Sequence, residues 1–148
     1  MKELKTEIQI STAPDKVWEV LMDLPNWKNW NPIVNHIDGK LEVGQELSIT
    51  MSDKKGNDSK SYKSTITALE EGKRFSFIGV MMSKFLFSAE RIIELKAKDG
   101  GTHFTQVEIY NGLIVPMFWK KLSDDALPML NSMNEALKKT VEGELLGT

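Results

Sequence analysis

The stretch Gly112-Leu113-Ile114-Val115-Pro116-Met117-Phe118-Trp119 opens the longest helical pattern in this chain, and its reading decides the fold. Beyond it, Phe118, Leu122, Ala126, Met129, Met133, Ala136, Leu137 and Thr140 fall on one side of a helical wheel. Lys120, Asp124, Asn131, Glu135, Lys138 and Glu142 fall on the other. That is the amphipathic period of a helix lying on an apolar surface. Pro128 lacks the N–H that would bond Asp124, so a kink is predicted there. Glu135 and Lys139 have the spacing and order of a supporting ion pair. Such a helix either closes an ordinary core or walls a cavity, and the rest of the chain has to decide between the two.

Upstream, the pattern changes from helical to alternating. Leu4, Thr6, Ile8 and Ile10 share one side of a half-buried strand. Ser11-Thr12-Ala13-Pro14-Asp15 reads as a helix start with Pro14 at the first helical position, and Val17, Val20, Leu21 and Leu24 form its inward stripe. Residues 24–32, with two prolines, suit a short helical turn on which Trp27 and Trp30 share a face. Six strand-like segments follow, at residues 33–41, 46–51, 62–69, 74–80, 85–97 and 102–111, separated by short turn signals. With no helix between them the sheet is expected to be antiparallel, about seven strands in all, with the helices on one face. The class is α+β, and the long last helix sits in the concave face of a curling sheet.

The final hairpin allows a register to be counted. Asp99-Gly100 is a strong two-residue turn signal, so Lys98 pairs with Gly101. Leu95 then faces Phe104, Ile93 faces Gln106, and Arg91 faces Glu108. A slip by one residue would separate the aromatic sides and the opposite charges together. Arg91 and Glu108 therefore form a charge pair on the concave, mostly apolar face. Burying two ions costs several kcal/mol each, roughly, so a filled apolar core does not call for the pair. A cavity holding water or a polar ligand group does.

The totals exclude several classes. A chain of 148 residues is most simply one domain. The formal net charge of -2 offers no general attraction for nucleic acid or anionic lipid. The absence of cysteine removes disulfides, zinc-thiolate sites and cysteine nucleophiles. No run approaches the ~18 apolar residues of a membrane span, and no apolar leader opens the chain, so a cytoplasmic protein is expected. His36 and His103 stand alone, and no metal or cofactor is expected. There is no phosphate loop, nucleophile elbow or paired-carboxylate signature.

Several stretches carry a resemblance. Ala13-Pro14-Asp15-Lys16-Val17-Trp18-Glu19-Val20-Leu21, followed by Trp27-Lys28-Asn29-Trp30-Asn31-Pro32, resembles the opening of the START-like superfamily, in its polyketide cyclase/dehydrase (SRPBCC) branch. Residues 72–77, the hairpin arms 91–95 and 101–108, and Tyr110-Asn111-Gly112-Leu113-Ile114-Val115-Pro116 are similar to later parts of the same family. The resemblance implies a helix-grip fold, a curved antiparallel sheet wrapped round a long C-terminal helix and enclosing a hydrophobic cavity. It also implies a lipid-, sterol- or polyketide-like ligand. The family pattern carries histidines where this chain has Arg91 and Gln106, which weakens any inherited acid–base role.

The expected function is binding of a small hydrophobic molecule between sheet and helix by a monomer or homodimer. Phe75, Phe77, Phe87, Trp30, Tyr110, Met117 and Met133 would line the space, and Arg91, with Glu108 and Gln106, would hold a polar end. One alternative is a cyclase or dehydratase in which Glu108 is the general base and Arg91 stabilises an enolate oxygen. Another is a co-chaperone-like interaction module with an exposed patch at Leu127, Leu130 and Val141.

Overall fold

In the computed structural model, which describes residues 1–146, a single antiparallel sheet carries all the strands among those residues. The elements in order are β1 (Lys2–Ile10), α1 (Pro14–Met22), a 3-10 turn (Leu24–Asn29), then β2 (Val34–Gly39), β3 (Glu46–Ser52), β4 (Asp58–Glu70), β5 (Arg74–Met81), β6 (Phe87–Lys98), β7 (Gly101–Asn111) and α2 (Val115–Leu146). The sheet order is β1-β7-β6-β5-β4-β3-β2, so β2 to β7 form a meander and β1 pairs with its last strand. This is the helix-grip arrangement expected from the sequence.

Local chemistry sets the boundaries. Ala13 is extended at the N-cap of α1, and Pro14 occupies the first turn, where a missing N–H costs nothing. Asp99 and Gly100 both take positive φ, 51° and 77°, as a two-residue hairpin turn requires. The counted register holds throughout the hairpin: Lys98 pairs with Gly101, Leu95 with Phe104, Ile93 with Gln106 and Arg91 with Glu108. One segment shifts from expectation. Phe85 was placed on the sixth strand, but that strand starts at Phe87, and Phe85 stands exposed in the preceding turn.

The inward side chains are arranged in cross-strand rows, and the rows differ. Phe75, Ile93, Gln106 and Thr6 are successive partners across β5, β6, β7 and β1, and all are buried. Leu95, Phe104 and Ile8 form a similar row towards the hairpin turn. At the other end of the sheet, Ser64, Gly79 and Ala89 are successive partners on β4, β5 and β6. Three small side chains in one row leave the concave face hollow there.

Residues 115–146 form one helix with Pro128 inside it. Its buried stripe is Leu130, Met133, Leu137 and Val141, joined by Asn134. This corrects two expectations. Leu130 and Val141 are buried in the core, leaving Leu127 alone of the proposed interaction patch exposed. Phe118, assigned to the inward face, is about half exposed, at 49%. The ion pair along the exposed side is Lys138–Glu142; the Glu135–Lys139 pair does not form among the described residues.

Candidate functional site

A cavity of about 550 Å³ opens between the concave sheet and the first half of α2. Its floor is the row of small residues, Ser64, Gly79 and Ala89. Phe77, Phe87 and Met51 add apolar wall, and Leu122, Ala126 and Met129 come down from α2 one helical turn apart. The space is thus a consequence of residue size: the side chains in that row on β4, β5 and β6 are small.

Arg91 and Glu108 occupy the wall, one row in from the floor. Arg91 Nε and Nη2 both donate to Glu108 Oε2, at 3.0 and 2.8 Å. Tyr110 Oη donates to Glu108 Oε1 at 2.8 Å. Both oxygens of the carboxylate are therefore engaged, and Arg91 Nη1 is left without an acceptor among the described residues. The side chains of the pair are only 11% and 12% exposed, so the charges sit in a largely desolvated wall. Burial works against the Arg91 charge, but the adjacent Glu108 carboxylate outweighs it and holds the guanidinium above its ordinary value. Tyr110 is pushed far up, first by burial and then by the field and hydrogen-bond demand of Glu108. Tyr62, on the opposite wall, is raised mainly by burial; Arg91 opposes that rise and Glu108 adds to it.

The rim is aromatic. Tyr110 stacks edge-on against Trp119 at 5.7 Å and lies 6.2 Å from Phe87. Lys2 Nζ sits 5.7 Å over the Trp119 ring, tying the chain's first strand to the first turns of α2.

Of the residues singled out in sequence, Arg91, Glu108, Tyr110, Phe77 and Phe87 are brought together on this cavity. The other five lie elsewhere. Phe75 and Met133 are fully buried in the solid core. Trp30 packs on Trp27 at 5.6 Å, beside the 3-10 turn. Met117 is 77% exposed on the outer side of α2. Gln106 belongs to a separate buried network: its Nε2 donates to Asn134 Oδ1 at 2.6 Å, and Asn134 Nδ2 donates to Thr6 Oγ1 at 2.9 Å. Phe75 and Gln106 alternate correctly for the concave face, but alternation says which side a residue faces and not what lies across from it. The inward side of the helical wheel already held Leu122, Ala126 and Met129, which line the cavity; Tyr62, legible from its parity with Ser64 and Ile66, and Asp125 were not singled out.

With that geometry, comparison with known proteins decides the family. Residues 1–142 match the family described as polyketide cyclase / dehydrase and lipid transport. The chain belongs to it. Solved structures with the same fold include protein NE0264 from Nitrosomonas europaea, with 18% identity, TM-score 0.75, and 96% of this chain and 95% of that one covered. Ara h 8.0201 is 18% identical with TM-score 0.69, covering 99% of both chains. The di-domain ARO/CYC StfQ from the steffimycin biosynthetic pathway is 14% identical with TM-score 0.74; the match covers 99% of this chain and 52% of that one. At these identities the likeness to family structures extends to the fold. No curated protein matches the sequence. Among the described residues no helix is long and apolar enough to cross a membrane, and no group of three or more His, Cys, Asp or Glu side chains could hold a metal ion.

Proposed function

We propose that this chain binds a small hydrophobic ligand in the cavity beneath the first half of α2, with a polar group of the ligand against Arg91. The observation that carries the reading is the hollow of about 550 Å³ over Ser64, Gly79 and Ala89, with the largely buried Arg91–Glu108 pair in its wall and Lys60, Lys63 and Asp125 also on its lining. Its size falls within the range of small-molecule sites, and an apolar lining with few placed polar groups is their usual composition. Arg91 Nη1 is a cationic donor left free in that wall, so a polar end of the ligand held against it is an acceptor, a carbonyl or an acid. The family description and the cyclase among the structural neighbours are in keeping with this chemistry.

Geometry favours binding over catalysis by Glu108. A general base needs a free lone pair aimed at a substrate proton. Of the roughly four acceptor positions of a carboxylate, three are taken here: Oε2 accepts from Arg91 twice and Oε1 accepts from Tyr110.

The test fills the hollow. Ala89→Phe places a ring over the floor, where the wild type has room. Titration with the fluorescent probe 1-anilinonaphthalene-8-sulfonate, read beside native mass spectrometry of freshly purified protein, should show saturable binding in the wild type and its loss in the variant. Equal probe binding by both proteins, with no co-purifying small molecule, would remove the proposal.

A further inference from the structure

The apolar surface at the mouth end of the molecule is not used by the cavity. Residues 82–86, between β5 and β6, and residues 112–114, between β7 and α2, are bound to each other through their backbones. Leu113 N–H donates to the Phe85 carbonyl at 3.0 Å, and Ile114 N–H donates to the Leu86 carbonyl at 3.3 Å. Gly112 makes this approach feasible: its φ is 126°, and a Cβ there would run into the Leu86 carbonyl. The joined turns and the start of α2 hold Met82, Phe85, Leu113, Met117 and Phe118 outward, at 88%, 73%, 61%, 77% and 49% exposure. Five large exposed apolar side chains thus stand on backbone segments that adjoin one another, where singly scattered surface residues would need no explanation.

Charge says what covers it. Val80-Met81-Met82-Ser83-Lys84-Phe85-Leu86-Phe87 and Leu113-Ile114-Val115-Pro116-Met117-Phe118-Trp119-Lys120-Lys121 contain three lysines and no carboxylate, in a chain whose net charge is -2. Lys84, Lys120 and Lys121 are all exposed. The first acids on α2, Asp124 and Asp125, come a turn further along, and Asp125 lies on the cavity. A second copy of the chain docking here about a two-fold axis would bring like charges together, because the same patch meets itself. An anionic lipid surface complements both features: its headgroups pair with lysine and its acyl boundary accepts the apolar tips.

We infer that this end of the molecule docks peripherally on anionic membrane surfaces. Phe85 and Met117 enter the acyl boundary, and Lys84, Lys120 and Lys121 contact the headgroup layer. Val80 and Met81 are exposed beside the patch and also line the cavity, so a docked molecule would turn the cavity's mouth towards the bilayer. Docking itself can be measured with no ligand present, so it stands or falls apart from the function proposed above.

The experiment is flotation of the purified full chain with vesicles of phosphatidylcholine alone and of phosphatidylcholine mixed with phosphatidylglycerol, at low and high salt. The expected result is binding to the mixed vesicles that weakens with salt. Replacing Lys120 and Lys121 together by Gln should lower that binding roughly 30-fold, from the usual contribution of a basic residue near such a surface. Phe85→Ser combined with Met117→Ser should abolish it while the melting temperature stays at the wild-type value, since both side chains are already in water. Absence of wild-type flotation on the mixed vesicles would overturn the inference. So would binding indifferent to both sets of substitutions, or a dimer in solution that the serine variant dissolves in place of vesicle binding.

Discussion

The two halves of α2 rest on different kinds of surface. The C-terminal half puts Leu130, Met133, Leu137 and Val141, each 2% exposed or less, onto a solid core. Its one buried polar side chain among the described residues, Asn134, is bonded to Gln106 and Thr6. The N-terminal half puts Leu122, Ala126 and Met129 over a hollow, where the polar partners are the ionised Arg91 and Glu108. Gln106 and Glu108 are consecutive inward residues of β7. One step along a strand separates a neutral amide in a dry interface from a carboxylate beside a cavity. The lesson is that the helix is anchored at one end and roofs a space at the other, with Pro128 near the division.

The largest effect that would break this contrast lies in the charge pair. Glu108→Ala leaves a largely buried guanidinium without its counter-ion and should cost about 3–5 kcal/mol of unfolding free energy, measured by urea denaturation. Arg91→Met combined with Glu108→Leu should be markedly more stable than Glu108→Ala, because no unpaired charge remains. If Glu108→Ala costs nothing, water already solvates the pair, and the cavity wall is wetter than the small exposures of these side chains indicate.

Next comes a direct comparison of the halves. Leu137→Ala opens a void in the solid core and should cost about 3 kcal/mol. Leu122→Ala only enlarges an existing space, so its cost should stay near the transfer term alone, roughly 1–2 kcal/mol. Chemical denaturation of the two variants under one set of conditions measures the difference. Equal losses would mean that the roof packs as tightly as the anchor.

How much of this was legible in the sequence follows from the same contrast. The β6–β7 register was readable because Asp99-Gly100 permits one tight turn, and the turn then fixes every partner back to Arg91. The strand succession was readable from alternation and turn residues. The buried face of α2 was readable only in part: Met133 and Leu137 stand on the inward side of the wheel and are fully buried. A single wheel over its whole length averages a stripe of Leu122, Ala126 and Met129 with a different one of Leu130, Met133, Leu137 and Val141. It consequently set Leu130 and Val141 off the core side. Asn134 went unnoticed because a polar helix residue reads as surface unless its partners are known, and Thr6 lies on the far side of the sequence. The cavity was inferred from the cost of burying a charge pair. Its actual cause, the row Ser64–Gly79–Ala89, joins three strands and is visible only once their registers are set.

The smallest predicted effect concerns pH and reports on the cavity side alone. Tyr110 is held above the ordinary tyrosine value of 10.0 in the folded chain, first by burial and then by Glu108. A raised pKa means the folded state keeps a proton that the unfolded state gives up. The stability linked to this group is therefore fully present below about 10.0 and falls as pH climbs through and beyond it. Tyr110→Phe removes the titration, so its melting temperature should fall less steeply than that of the wild type across the alkaline limb. At neutral pH the same variant should be slightly less stable, because Glu108 Oε1 loses its donor. The buried network of the C-terminal half should not mimic this, since Gln106, Asn134 and Thr6 do not titrate. Thermal melts of Tyr110→Phe and Asn134→Ala against pH would separate the two: the first should change the slope of the alkaline limb, and the second should only lower the whole curve. An unchanged alkaline slope in Tyr110→Phe would mean that the phenol does not feel the burial and the carboxylate that set it apart from the anchored half.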